Sequence, residues 1–230
     1  MVVLGYLLQN IERILIPYLK IKNKLLEILE GMIIKELNIE PYTKSLKDVG
    51  VFLDNLEFKK VKTKYTKGDD WTAISFHGYG PNPLDILKPG VLKSSVKIDT
   101  KLQYTSLKNE PVMKPVLEIL EKLPCTYERV RFMKLVAGKV IGKHSDKIDK
   151  DIESGKIVRV HIPIRTNEDV IFTLYESAKD KVGNEHNLKT GHFYYTDVSK
   201  PHAVRNNSNT DRIHLVVDCH GNSVLRSVIA

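Results

Sequence analysis

From Arg129 onward the chain is a succession of short segments rich in β-branched and aromatic residues: Arg129 to Val136, Lys156 to Ile164, Val170 to Tyr175, His192 to Thr196 and Arg212 to Asp218. Polar or glycine-containing turns separate them, which is the pattern of short strands in an all-β half. Trp71 to His77 (WTAISFH) reads as an earlier strand, and the proline- and glycine-rich Gly78 to Pro89 reads as a loop. Helical spacing occurs in two places. Apolar residues recur at helical spacing from Tyr6 to Leu37, around a break at Pro17, and again from Lys114 to Leu123 between Pro111 and Pro124. The expected fold is mainly β with α, a closed double sheet with N-terminal helices packed outside one sheet. Its 230 residues suit one domain, with 1–124 as a helical and support layer and 125–230 as the core.

Composition narrows the function classes. Apolar stretches near the start are short and broken by Glu12, Arg13 and Lys20, so no membrane span is expected. No basic segment precedes an apolar run in the manner of a secretory signal, which makes the cytoplasm the expected location. Cys125 and Cys219 are the only cysteines, and the apolar run before Cys219 favours a buried reduced thiol over a disulfide. A net charge of +8 raises the question of nucleic acid. Only Lys59 to Lys64 forms a dense basic run, without interleaved aromatics, so a solvated surface is the expectation and a nucleic-acid partner is not.

The chemistry concentrates around Gly142-Lys143-His144-Ser145-Asp146. In extended chain, positions i and i+2 point the same way, so the His144 imidazole and the Asp146 carboxylate can face one point. By itself His-x-Asp is a weak signal. A distant histidine would complete a two-histidine, one-carboxylate set of the kind that holds Fe(II) while leaving positions open. His202 supplies it, just before the turn Asn206 to Asp211, and Arg212 then opens the final segment. If these two segments pair as a hairpin, His202 and Arg212 lie nearly opposite each other, roughly 5 Å apart at Cβ. A guanidinium beside the metal would grip a carboxylate by two parallel hydrogen bonds.

The segments Tyr127 to Asp146, Val158-Arg159-Val160-His161-Ile162-Pro163-Ile164, Gly191 to Asn206 and Arg212 to Asp218, with the ten-residue step from His202 to Arg212, resemble the aspartyl/asparaginyl β-hydroxylase family over about the C-terminal half. The resemblance implies a double-stranded β-helix of the cupin type, Fe(II) and 2-oxoglutarate with O2, and cosubstrate contacts from Arg159 and His161 beside Arg212. Some members of that family lack the metal carboxylate. Asp146 keeps it here, which is closer to the bacterial free-amino-acid hydroxylases, proline cis-hydroxylases among them. No tetratricopeptide-like repeat or membrane anchor accompanies it, which leaves the substrate open between a free amino acid and a residue in a peptide or protein.

Structural readings compete with these assignments. Asp146 can close a turn on a backbone amide, and Arg212 can pair with Asp197 or Asp211. Arg159 can face solvent, and His161, within a buried-looking run, can be a satisfied core residue. His214 shares a face with Arg212 and is expected beside the metal site, not in it. Arg131 and Trp71 are the candidate substrate contacts. The alternatives to an oxygenase of amino acids are a non-catalytic cupin-like binding domain and a nucleic-acid-modifying oxygenase.

Overall fold

The computed structural model describes residues 34–89, 100–146 and 157–228. The helical periodicity over Tyr6 to Leu37 falls outside these residues except at its end, where the structure corrects it. Ile34–Glu36 is a strand, β1, paired antiparallel with Tyr194–Thr196. Pairing an otherwise open sheet edge outweighs the local helical pattern there. Later expectations are met more closely: Lys114–Glu121 is a helix, and each of the five C-terminal segments read from the sequence holds a strand.

In chain order, β1 is followed by helix α1 (Lys47–Asp54), β2 (Lys59–Lys60), β3 (Trp71–Tyr79), β4 (Leu102–Tyr104) and helix α2 (Lys114–Glu121). Then come β5 (Tyr127–Leu135), β6 (Val140–His144), β7 (Ile157–Arg165), β8 (Val170–Leu174) and β9 (Asn184–His186). The chain finishes with β10 (Tyr194–Thr196), β11 (His202–Asn206), β12 (Arg212–His220) and the short helix α3 (Ser223–Ser227). Residues 34–124 belong to the part expected as a helical and support layer, and they carry strands beside the helices α1 and α2. They supply β1 to β4, and β3 pairs with β5 along most of its length, running on through Gly78 and Tyr79 where a loop was expected.

Two antiparallel sheets result, one ordered β1-β10-β7-β12-β5-β3-β2 with β4 on β3, the other β6-β11-β8-β9. From β5 onward the chain passes repeatedly between them, giving β10-β7-β12-β5 facing β6-β11-β8-β9. That interleaving is a jelly roll, the double-stranded β-helix. The order also corrects the expected hairpin: both edges of β11 are taken by β6 and β8, and both edges of β12 by β5 and β7. His202 and Arg212 are thus on facing sheets and not on paired strands.

Alternation along the large sheet separates core from site. One parity of β5, β7 and β12 is apolar: Val130 and Phe132, Val158, Val160 and Ile162, Ile213, Leu215 and Val217 are all buried. The other parity points into the sandwich and carries Arg131, Arg159, His161, Arg212, His214 and Asp218, which are buried as well. Burying six ionisable side chains on one face of a sheet is costly without partners. They are the interior wall of the site. Helix α1 covers β7 from outside, tied by a two-pronged bond from Arg165 to Asp54 at 2.7 Å.

Candidate metal centre

His144 ends β6 and His202 begins β11, and the two are register partners across that pair of strands. Two residues on, the Asp146 N–H donates to Val198 O at 2.8 Å, which keeps the segment beyond β6 beside the start of β11. One ligand atom each from His144, Asp146 and His202 lies within 4.8 Å of the others. Each imidazole places Nδ1 against the carbonyl two residues upstream, His144 on Gly142 O at 2.8 Å and His202 on Lys200 O at 2.9 Å. A carbonyl only accepts, so the proton sits on Nδ1 and the Nε2 lone pair is left for a metal. Stacked rings fix both imidazole planes, Tyr65 on His144 at 4.7 Å and Phe172 on His202 at 5.5 Å between centroids.

Electrostatics favour the ligating forms. Burial, with His144 alongside, pushes His202 down to about 4, so the ring is neutral at ordinary pH. Burial would raise the Asp146 carboxyl, but the Arg159 guanidinium and the two imidazoles hold it below its usual value. Neutral imidazoles and an ionised carboxylate are the forms a first-row divalent ion takes up. The donor set therefore fits Fe(II) as the sequence suggested.

Arg159 bridges this trio to a second carboxylate, that of Asp218. It donates to Asp146 and, through Nε, to Asp218 Oδ1 at 2.8 Å. Asp218 is fully buried and also accepts from Arg129 at 2.6 Å and Arg131 at 3.1 Å. Despite its burial, these three cations hold the Asp218 carboxyl far below the usual carboxylate range. Arg131 accordingly turns to Asp218 and not to the cavity wall, and burial together with Arg129 lowers it to about 9. Asp218 was not among the residues singled out from the sequence. Its signal was positional: it stands in register with Arg129 and Arg159 on the inward parity of three adjacent strands.

Arg212, at the start of β12, is 3% exposed. Neither Asp197 nor Asp211 takes it: Asp197 accepts from Ser199, and Asp211 accepts from the Ala137 N–H. Its hydrogen-bond partner is His214 Nδ1, at 2.5 Å, and its Nε has none among the described residues. Burial, unrelieved by any carboxylate, lowers it to about 9. Both ring nitrogens of neighbouring His161 are likewise without partners, and burial, with Arg212 and Arg159 nearby, holds that ring neutral. A buried cation short of a counter-charge fits a carboxylate-bearing ligand.

The three candidate ligands share one partly open cavity with Arg159, His161 and Arg212. Trp71 forms part of its wall, 6.0 Å between centroids from His144, and its indole N–H has no partner among the described residues. The sequence profile of the aspartyl/asparaginyl β-hydroxylase family matches residues 46–221. The chain belongs to that family. It is therefore a hydroxylase, and the match begins before α1, so the family's features extend well beyond the C-terminal half that carries the resemblance in the sequence.

Solved structures similar to this hydroxylase include a 2OG-Fe(II) oxygenase-family oxidoreductase from Burkholderia pseudomallei, at 14% identity over 77% of this chain and 78% of that one, with a TM-score of 0.46. A Pseudomonas putida prolyl-4-hydroxylase matches at 13% identity over 82% and 92% of the two chains, with a TM-score of 0.42. A cupin domain from Bordetella pertussis matches 40% of this chain and 79% of its own length at 18% identity and a TM-score of 0.30.

Proposed function

We propose that this hydroxylase inserts oxygen into a C–H bond of an amino acid, free or within a peptide or protein, with 2-oxoglutarate converted to succinate and CO2. His144, Asp146 and His202 would hold Fe(II). Arg212 would pair with the far carboxylate of 2-oxoglutarate, with His161 and Arg159 lining the path between that carboxylate and the metal. The observation that carries this reading is Arg212, a buried guanidinium with no carboxylate partner in the same cavity as three convergent metal donors.

Iron, when bound, supplies the activation of O2 that no protein side chain provides. This chain's residues do the rest. The Nδ1–H bonds to Gly142 and Lys200 aim both imidazoles before any metal arrives, so little reorganisation is needed on binding. Arg159 holds Asp146 by one oxygen and keeps it ionised. Arg212 selects a ligand with a carboxylate at the depth of β12, since its charge is satisfied only by an anion. Phe172, Val198, Val204 and Val216 make the remaining wall apolar, which limits water around the reacting C–H.

For the substrate, three guanidiniums (Arg129, Arg131, Arg159) face two carboxylates (Asp218, Asp146), a surplus of one positive charge. That surplus suits an amino-acid carboxylate, with the Trp71 indole N–H, in the cavity wall and without a partner among the described residues, as a candidate donor to it. The test is anaerobic addition of Fe(II) and 2-oxoglutarate, which should give a weak visible charge-transfer band that is lost in Asp146→Ala and His202→Ala. Succinate should then form in air with a panel of amino acids and peptides. An unaltered protein with neither band nor succinate would sink the proposal.

A further inference from the structure

The bond that holds Arg212 is unusual in its acceptor. A buried arginine is ordinarily held by a carboxylate, as Arg131 and Arg159 are held here by Asp218. Arg212 is held instead by His214, two residues along the same strand and 1% exposed. Guanidinium N–H groups only donate, so His214 Nδ1 must accept, and the ring proton then sits on Nε2. Burial, with Arg212 and His161 next to it, keeps that ring neutral. A charged imidazole would set donor against donor.

We infer that His214 is the positioning residue for the carboxylate clamp: a neutral acceptor that fixes the Arg212 guanidinium without neutralising it, leaving its full charge for the cosubstrate. The inference rests on the reading of Arg212 given above. An aspartate in place of His214 would hold Arg212 equally firmly but would cancel its charge in a low-dielectric interior, where a fixed internal carboxylate outcompetes one arriving from water. An aliphatic residue would leave the charge but release the guanidinium. Geometry supports the division of labour. Both Arg212 Nε and His214 Nε2 are buried without partners among the described residues, and His161, whose ring lies 5.8 Å from that of His214, offers two more unpartnered nitrogens. Arg212 and His161 line one end of the cavity, and no carboxylate among the described residues pairs with Arg212 there.

The experiment measures 2-oxoglutarate binding by calorimetry on the full chain loaded with Mn(II), a redox-inert stand-in for iron, alongside thermal midpoints without ligand. His214→Leu should weaken binding about ten- to a hundredfold, the value of one hydrogen bond to a charged group. His214→Asn, whose side-chain oxygen reaches the position of Nδ1, should stay within about fivefold of the unaltered protein. His214→Asp should weaken binding at least as much as His214→Leu while melting no lower than His214→Asn, a separation that a purely structural role for His214 would not produce. If His214→Leu does not fold, the Asn and Asp pair carries the comparison. Unaltered affinity in either the Leu or the Asp variant overturns the inference and leaves the cosubstrate assignment standing. Failure of the unaltered protein to bind 2-oxoglutarate overturns both.

Discussion

Replacing Asp218 by Asn removes the charge of a buried carboxylate shared by three arginines while conserving its volume. The carboxylate is fully buried and accepts bonds of 2.6, 2.8 and 3.1 Å from Arg129, Arg159 and Arg131. Asparagine keeps one acceptor oxygen and turns an NH2 donor toward guanidinium donors. Of the three cations, Arg131 and Arg159 buried and Arg129 partly so, only Arg159 would then keep a carboxylate partner, Asp146, among the described residues. Breaking a buried ion pair from one side costs about 3–5 kcal/mol, and these three bonds act as one unit, so that figure is taken once and not three times. Against a total stability of about 5–15 kcal/mol, the loss is a large fraction. With a urea dependence of about 2 kcal/mol/M, the unfolding midpoint should fall by roughly 1.5–2.5 M. The sign with pH follows from the depressed carboxyl. Its stabilisation is fully present above the unfolded value of about 4 and is lost as pH falls below it, so the gap between the two proteins should narrow on acidification. A midpoint within about 0.5 M of the unaltered protein at pH 7, or a gap that does not shrink below pH 4, would refute the reasoning.

Other outcomes follow from the same accounting of buried charge and backbone geometry. Arg212→Met should abolish 2-oxoglutarate binding by calorimetry yet melt at or above the unaltered protein's temperature without ligand, because an uncompensated buried cation is exchanged for an apolar side chain. Gly191 has φ +78°, and a Cβ there would run into the Tyr42 carbonyl. Gly191→Ala should therefore destabilise by about 2–4 kcal/mol, read by urea denaturation, with the midpoint of Gly138→Ala, at φ +71° but in open space, lowered less.

How much of this was legible in the sequence depends on whether residue type or pairing carried the information. His144, Asp146 and His202 were recognisable as candidates because few residue types can ligate a metal, and the structure brings one ligand atom of each within 4.8 Å of the others. The predicted hairpin, by contrast, assumed that strands adjacent in sequence pair. Here β11 lies between β6 and β8 in one sheet, and β12 lies in the other. Arg212 reaches the metal cavity across the sandwich, a relation that no local spacing encodes. Helix α1 was missed because its eight residues include Gly50 and lack a side-chain N-cap, leaving little helical signal beyond its apolar spacing.

Asp218 shows what a stricter reading of alternation could have recovered. Taken alone, an acidic residue closing the run Ile213 to Val217 looks like the solvated end of a strand. Counted by parity, it falls on the face that carries Arg212 and His214, and Arg129, Arg131 and Arg159 fall on the corresponding face of their own strands. A sheet buried on both sides cannot leave such a row of charges unmatched, so opposite signs at one parity of neighbouring strands constrain which strands are neighbours. The same count marks Arg212 as the exception. Every other inward arginine of β5, β7 and β12 meets Asp218, while Arg212 meets a neutral imidazole. A missing carboxylate in an otherwise matched row is what a carboxylate-binding site requires, and it is visible only once strand order is known.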